Sequence, residues 1–356
     1  MITNLNKLFD ELPDSIRQIA NRIYRVLVME SQLALPHEMR SWVEDQFGSL
    51  NFVETQTIIR VINNATGEAS LFNPLRASRP LLEYTGQIEN EINNDYHLFR
   101  QPIEFTPEDP FGRLIGSHGV TSANLARYDA LSSLVIFSEP NPMLFNIESI
   151  EANFSLAMKW FNKAHTWDKN ACYPYIGWNC LWRSGASVIH GHLQMTLARL
   201  MHYGRIEKLR IDSLSYNKKS KSSYFEDLFA VHQALGCGFS IGETRVMAYL
   251  NPTREKEVMI LTPKINTASL KVFHDVLSIF RDELGVHSFN VGIAFPPICA
   301  VEETWEHFPV IIRVVDRGNL KNRTSDIGAM ELFAEPVIAT DPFLVANQLR
   351  SLFGVR

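Results

Sequence analysis

Two stretches of this chain run through the same order of elements, and that repetition limits the fold more than any other feature. In the first stretch, Thr57-Ile58-Ile59-Arg60-Val61-Ile62 and Leu134-Val135-Ile136-Phe137 are short β-branched or apolar runs bounded by turn residues, the pattern of strands. An amphipathic helix follows, with Ile150, Phe154, Ala157, Met158 and Phe161 on one face, and then a further strand region within Trp178–Arg199. In the second stretch, Val246–Leu250 and Val258–Leu261 read as strands. A helix carrying Leu270, Phe273, Val276, Leu277 and Phe280 on one face comes next, then strands at Phe289–Ile293 and Val310–Val315. The shared order predicts an α+β fold built from two related halves.

The remaining segments fill in around those halves. Residues 1–50 read as a helical extension: Asp14 and Ser15 offer a cap, Ile16, Ile19, Ile23 and Leu27 follow at helical spacing, and Pro36 ends the run. Residues 204–224 are polar, with Lys218, Lys219 and Lys221 close together, and read as a surface loop joining the halves. The expected organisation is therefore an extension over 1–50, a first half over 51–203, a linker over 204–224 and a second half over 225–356.

Composition excludes several classes. At 46% hydrophobic and 21% charged residues, the chain is an ordinary globular sequence rather than a disordered one. A net charge of −5 disfavours non-specific nucleic-acid binding, while leaving room for a local basic pocket. No apolar run approaches the ~18–20 residues of a membrane span, so no membrane partner is expected. The first residues lack the basic-then-apolar order of a secretory signal, which points to the cytoplasm. Cys172, Cys180, Cys237 and Cys299 form no C-x-x-C pair, so four free thiols are expected and a cysteine-based zinc site is not.

The chemistry concentrates in Arg183-Ser184-Gly185-Ala186-Ser187-Val188-Ile189-His190-Gly191-His192-Leu193-Gln194. On an extended strand His190, His192 and Gln194 share one face. Ser184 to Ser187 are small, so backbone N–H groups can approach an anion closely. Imidazole titrates near ~6.5, which makes it a nucleophile at neutral pH. It can attack phosphorus and hold the group as a phosphoramidate. Its other nitrogen must then be protonated and oriented, and an amide such as Gln194 can donate to the phosphate oxygens. An H-x-H pair also suits a metal ion, and a pocket of this kind can bind a nucleotide without turnover.

Ser187-Val188-Ile189-His190-Gly191-His192-Leu193-Gln194 resembles the H-x-H-x-Q motif of the galactose-1-phosphate uridylyltransferase and diadenosine-tetraphosphate phosphorylase branch of the histidine-triad (HIT-like) superfamily. The resemblance implies two tandem HIT-like halves, the second degenerate. It implies that His192 is the nucleophile, with His190 beside it, and that Gln194 contacts the covalently held phosphate. Asn179, eight residues before Ser187, and Ser187 itself would hold phosphate oxygens, next to Gly185 and Ala186. Arg76 and Arg79, in Asn73-Pro74-Leu75-Arg76-Ala77-Ser78-Arg79-Pro80, resemble an R-x-x-R-P element that faces the nucleotide, and Asn124 takes the place of a ribose-side Asn or Asp. Ser325-Asp326-Ile327-Gly328-Ala329-Met330-Glu331-Leu332 resembles the closing segment of the second half.

Three departures shape the expectation. The zinc-binding members carry C-x-x-C pairs that are absent here, so no metal or other cofactor is expected. The family's Asn-x-Gly is Asn179-Cys180-Leu181, and a hexose-phosphate lysine is replaced by Thr324 or a neighbour. Glu306-His307-Phe308-Pro309 lacks the H-x-H pattern, so one site per chain is expected. The function implied is nucleotidyl transfer or phosphorolysis through a nucleotidyl-His192 intermediate. The donor would be a nucleotide sugar or dinucleoside polyphosphate and the acceptor phosphate or a sugar phosphate. Members of the family pair through their sheets, which allows a homodimer.

Overall fold

A computed structural model of the chain describes residues 1–78, 98–322, 324–325 and 327–355. Among these residues the strands form two sheets. A four-stranded sheet has the order β1 (Tyr24–Gln32), β2 (Thr55–Asn63), β3 (Ala69–Phe72) and β13 (Val337–Ile338). A nine-stranded antiparallel sheet contains β4 (Gly119–Ala123), β5 (Ser132–Phe137), β6 (Ala171–Cys180), β7 (His192–Arg199), β8 (Gly238–Ile241), β9 (Thr244–Ala248), β10 (Val258–Thr262), β11 (Phe289–Ala294) and β12 (Val310–Asp316). Its spatial order is β4-β5-β7-β6-β11-β12-β10-β9-β8.

That order resolves into two halves of like topology. β4 and β5 lead to the Ile147–Trp167 helix and then β6 and β7; β9 and β10 lead to the Thr267–Asp282 helix and then β11 and β12. The halves join where β6 and β11 pair, from Tyr175 opposite Ala294 to Cys180 opposite Phe289. Even the helix starts repeat. Asn146 and Ser149 form a reciprocal capping box on the first helix, and Asn266 and Ser269 form one on the second.

Strand alternation gives the large sheet two distinct faces. Val135, Leu193, Ile176, Trp178, Val291 and Ile312 point to one face, each at most 3% exposed beneath the two long helices. Phe154 and Phe273 meet between those helices with ring centroids 5.6 Å apart. Burying side chains of this kind contributes about 1.5–3 kcal/mol each, which makes this layer the main core. On the second half the opposite face is covered by the small sheet. The Asn251 amide donates to the Val61 carbonyl at 2.8 Å, Ser70 donates to the Pro252 carbonyl at 2.9 Å, and Arg313 pairs with Glu68 at 2.9 Å and with Glu257. On the first half the opposite face carries His192 and Gln194.

Three expectations need correction. The helix that begins at Asp14 stops at Ile23, and Leu27 lies in β1 opposite Arg60. Nine consecutive residue pairs with β2, from Tyr24–Asn63 to Gln32–Thr55, override the helical spacing. Residues 204–224 are not a loop, because Gly204–Ser220 is a helix. Its packed face mixes Ile206, Leu209 and Tyr216 with buried Arg210 and Ser213, so the apolar stripe is weak. Finally, Cys172 and Cys299 are joined in a disulfide, while Cys180 and Cys237 are buried thiols. The two bonded residues are 127 positions apart, and the β6–β11 pairing brings them together. No helix among the described residues is long and apolar enough to cross a membrane.

Candidate active site

β7 begins at His192, which lies opposite Ile136 of β5, and Gln194 lies between Leu134 of β5 and Gly177 of β6. Continuing the β6–β7 register by two residues places Asn179 beside His192. His190 precedes the strand, yet both rings lie against the ring of Phe99, edge to face, with centroids 5.9 Å from His190 and 5.4 Å from His192. The two histidines are 4% and 5% exposed. His192 Nδ1 lies 2.8 Å from the His190 carbonyl oxygen. A carbonyl only accepts, so Nδ1 carries the proton and the neutral ring keeps its lone pair on Nε2. His190 Nε2 donates in the same way to the Phe137 carbonyl at 2.8 Å.

Gly191 is held from both sides. Its amide donates to the Pro140 carbonyl at 2.8 Å, and its carbonyl accepts from the Phe137 amide at 2.9 Å. A Cβ at this position would lie 2.5 Å from the Phe137 ring, so the close approach requires glycine. Gly177 and Gly292 serve a different end. They lie side by side on β6 and β11, and the Tyr175 phenol rests across them, its ring 3.5 Å from where the Gly177 Cβ would be and its hydroxyl 3.2 Å from where the Gly292 Cβ would be. Burial pushes the Tyr175 phenol pKa up, so it stays neutral on this face.

The small-residue turn is built differently from a simple anion cradle. Leu181, where an Asn-x-Gly pattern would have glycine, adopts φ 65°. The Ser184, Gly185 and Ala186 amides donate to the Leu181 and Trp182 carbonyls, so in this conformation they face into the turn. Gly185 closes the turn at φ 88°, a left-handed conformation that glycine adopts without strain. Ser187 is exposed beyond it. Asn179 is half-buried, and its Oδ1 accepts from Asn290 Nδ2 at 2.6 Å. Asn290 in turn accepts from Arg317, and both Asn290 and Arg317 donate to the Ser184 carbonyl.

Arg76 lies in the Pro74–Ser78 turn and is exposed, lining a cavity of about 510 Å³ together with Arg183, Arg254, Arg317, Thr324 and Ser325. Arg183 and Arg317 connect that cavity to the turn before the motif. Arg79 lies outside the described residues. Asn124 follows β4 on the His192 face of the sheet, its amide donating to the Ser132 carbonyl at 3.1 Å, four residues beyond Val120 in the row of His192. Among the described residues, one trio of His, Cys, Asp or Glu donors converges within 4.8 Å: His165, Cys172 and Cys299, of which the two cysteines share the disulfide. His190 and His192 belong to no such group. His307 is exposed in a turn beside Glu306, and β12 begins beyond it at Val310, an apolar residue where β7 begins with His192.

Asn290, Arg317 and Phe99 were not anticipated from sequence, and Arg183 entered only as the first residue of the small-residue segment. A signal for Asn290 was present: Gly177-Trp178-Asn179 pairs antiparallel with Asn290-Val291-Gly292, so the same small and polar residues face each other in reverse order.

These features define the class: a two-halved α+β protein of the tandem histidine-triad-like fold, with one imidazole pair at the head of β7. No protein-family model and no curated protein sequence matches the chain. Solved structures do. An ADP-glucose phosphorylase from Arabidopsis thaliana with bound ADP-glucose superposes with a TM-score of 0.61 at 14% identity, covering 82% of this chain and 98% of the other. A uridylyltransferase gives a TM-score of 0.58 at 13% identity over 83% and 98%, and a GALT-like protein from Arabidopsis thaliana gives 0.56 at 13% over 82% and 98%. The chain has the fold of these proteins.

Proposed function

We propose that the protein is a nucleotidyltransferase of the phosphorylase type that works through a nucleotidyl-His192 intermediate. One observation carries this reading: the 2.8 Å bond from His192 Nδ1–H to the His190 carbonyl, which orients the ring and makes Nε2 the nitrogen that carries the lone pair of the neutral imidazole. Nε2 attacks the α-phosphorus of a nucleotide sugar or dinucleoside polyphosphate. The N–P bond forms as the P–O bond to the leaving phosphate or sugar phosphate breaks, and that bond's electron pair leaves on oxygen. An oxygen of inorganic phosphate or a sugar phosphate then attacks phosphorus, and the pair of the N–P bond returns to Nε2. Gln194 and Asn179 flank the ring and donate to the non-bridging oxygens as charge develops. Ser187 adds a hydroxyl at the open end of the turn.

The cavity beside Ser184 carries four arginines alongside Glu255, Asp316 and Glu331, and its guanidinium groups suit the anionic leaving group and acceptor by matching phosphate with paired donors. The fold shared with an ADP-glucose phosphorylase and a uridylyltransferase supports this class of substrate. Phe99 packs against the His192 ring with centroids 5.4 Å apart and so helps to hold the ring in place.

The test is a turnover panel of ADP-, GDP- and UDP-sugars and dinucleoside polyphosphates, each with inorganic phosphate. The reading expects phosphate-dependent turnover of one group, with parallel double-reciprocal lines. Release of free mononucleotide with water as the sole acceptor would argue for a hydrolase, and nucleotide affinity with no turnover for a binding module.

A further inference from the structure

Two carboxamides and a guanidinium form a chain of hydrogen bonds that ends at Asn179, the neighbour of His192 across the β6–β7 pairing. Asn179 sits on β6, between His192 on β7 and Asn290 on β11. Arg317 Nη1 donates to Asn290 Oδ1. Asn290 Nδ2 donates to the Ser184 carbonyl at 2.9 Å and to Asn179 Oδ1 at 2.6 Å. The ends of this chain have no choice of role, because a guanidinium only donates and a backbone carbonyl only accepts. Asn290 must therefore turn its oxygen to Arg317 and its nitrogen to Ser184. That nitrogen also faces Asn179, which must answer with its own oxygen. The Asn179 Nδ2–H donors are thereby left on the β7 side, beside His192.

A phosphate oxygen accepts hydrogen bonds and repels a carbonyl oxygen, so the direction of the Asn179 amide decides whether it helps or hinders. We propose that Asn290 and Arg317 are positioning residues for nucleotidyl transfer: they lock Asn179 with its donors aimed at the phosphoryl group on His192. The positive charge of Arg317 also polarises both amides in the sense that strengthens those donors. This assignment rests on the function proposed above.

The Asn290→Asp variant reverses the lock while keeping side-chain size and the contact with Arg317. A carboxylate at 290 has no N–H for Asn179, so it draws the Asn179 nitrogen toward itself and turns the Asn179 oxygen to the phosphate. The readout is the single-turnover rate of label transfer from a radiolabelled nucleotide donor to the intact protein. Loss of one such donor typically costs about 100-fold, so Asn290→Asp should fall by about that factor with KM little changed. In an Asn179→Ala background, Asn290→Asp should cost less than about threefold, because the residue it acts through is gone.

A wild-type protein that labels, with Asn290→Asp within about threefold of it, overturns the positioning role alone. So does an equal loss in both backgrounds. A wild-type protein that never labels overturns the positioning role and the proposed function together. Should Asn290→Asp fail to fold, Arg317 tests the other end of the chain. Arg317→Ala should lose at least about tenfold and Arg317→Lys should retain most of the rate, and the Arg317→Ala loss should shrink severalfold in the Asn179→Ala background, where only its place in the cavity remains. An Arg317→Ala protein that labels at the wild-type rate overturns the proposal.

Discussion

Replacing Gly191 by alanine should displace the His192 ring without removing any group that takes part in chemistry. The added Cβ would lie 2.5 Å from Phe137 Cδ2 and 3.3 Å from the Pro142 Cα, where ordinary contact begins near 3.4 Å. About 0.9 Å of movement must come from somewhere. Phe137 is poorly placed to supply it, because its ring packs edge-on against buried Trp178 at 5.3 Å. The backbone at 191 is fixed by its bonds to Pro140 and Phe137. The shift therefore falls on the His190–His192 segment and on the carbonyl that orients the His192 ring. A misplacement of about 1 Å can cost 10²-fold in rate, and over-packing of this kind costs about 1–3 kcal/mol in stability. The assay is single-turnover label transfer in parallel with chemical denaturation. Gly191→Ala should lose about 100-fold in rate while still folding cooperatively. Gly191→Ala combined with Phe137→Leu, which removes the obstructing ring atoms, should recover part of that loss. A Gly191→Ala protein within threefold of wild type would show that ring placement does not limit the reaction, and the reasoning would fail.

Other expectations follow from residues away from the site. His232 is fully buried, donating from Nδ1 to the Leu228 carbonyl and accepting at Nε2 from the Leu250 amide, and burial pushes its pKa down to about 4. The unfolded chain binds that proton near ~6.5, so the contribution is complete above that pH and about 3 kcal/mol is lost as pH falls toward 4. Denaturation at pH 7 and pH 5 should show a shallower loss in His232→Gln than in wild type, and equal slopes would contradict the assignment. The Cys172–Cys299 bond closes a loop spanning 127 residues. Constraining a loop of that size stabilises by up to about 5 kcal/mol in the chain-entropy model and about 2–4 kcal/mol typically. Cys172→Ser should melt lower than wild type, and a thiol reductant should bring wild type down to the variant. Identical melting with and without reductant would show that the bond contributes nothing. Gln194→Ala should slow label transfer by about 10²-fold with little change in melting, and an unchanged rate would remove Gln194 from the reaction.

What could be read from sequence is what local pattern records. The β-branched runs at Leu134–Phe137, Val258–Leu261 and Val310–Val315 are strands, and the faces marked by Phe154 and Phe273 are the helix faces that meet over the core. The placement of His192 and Gln194 was readable because strand spacing alone puts them on one side of β7. What escaped depends on long-range pairing. Leu27 continues a helical spacing, and only the register with β2 makes it a strand residue. The Gly204–Ser220 helix buries Arg210 and Ser213 among Ile206, Leu209 and Tyr216, so its apolar periodicity is interrupted. Cys172 finds Cys299, and Asn179 finds Asn290, through the junction of β6 with β11. The small-residue turn was legible as a turn, but the inward direction of its amides was not, because that depends on the left-handed backbone of Leu181 and Gly185.

The most direct measurement is peptide mapping of the trapped intermediate. The protein is mixed with a nucleotide donor in the absence of acceptor, quenched in base and digested, and the modified peptide is sequenced by mass spectrometry. A single nucleotidyl group on the His192 imidazole, stable in base, lost in acid and discharged by added phosphate or sugar phosphate, is the result expected. Transfer at the full rate by a His192→Ala protein, or a nucleotidyl group carried on any other residue, would contradict the account.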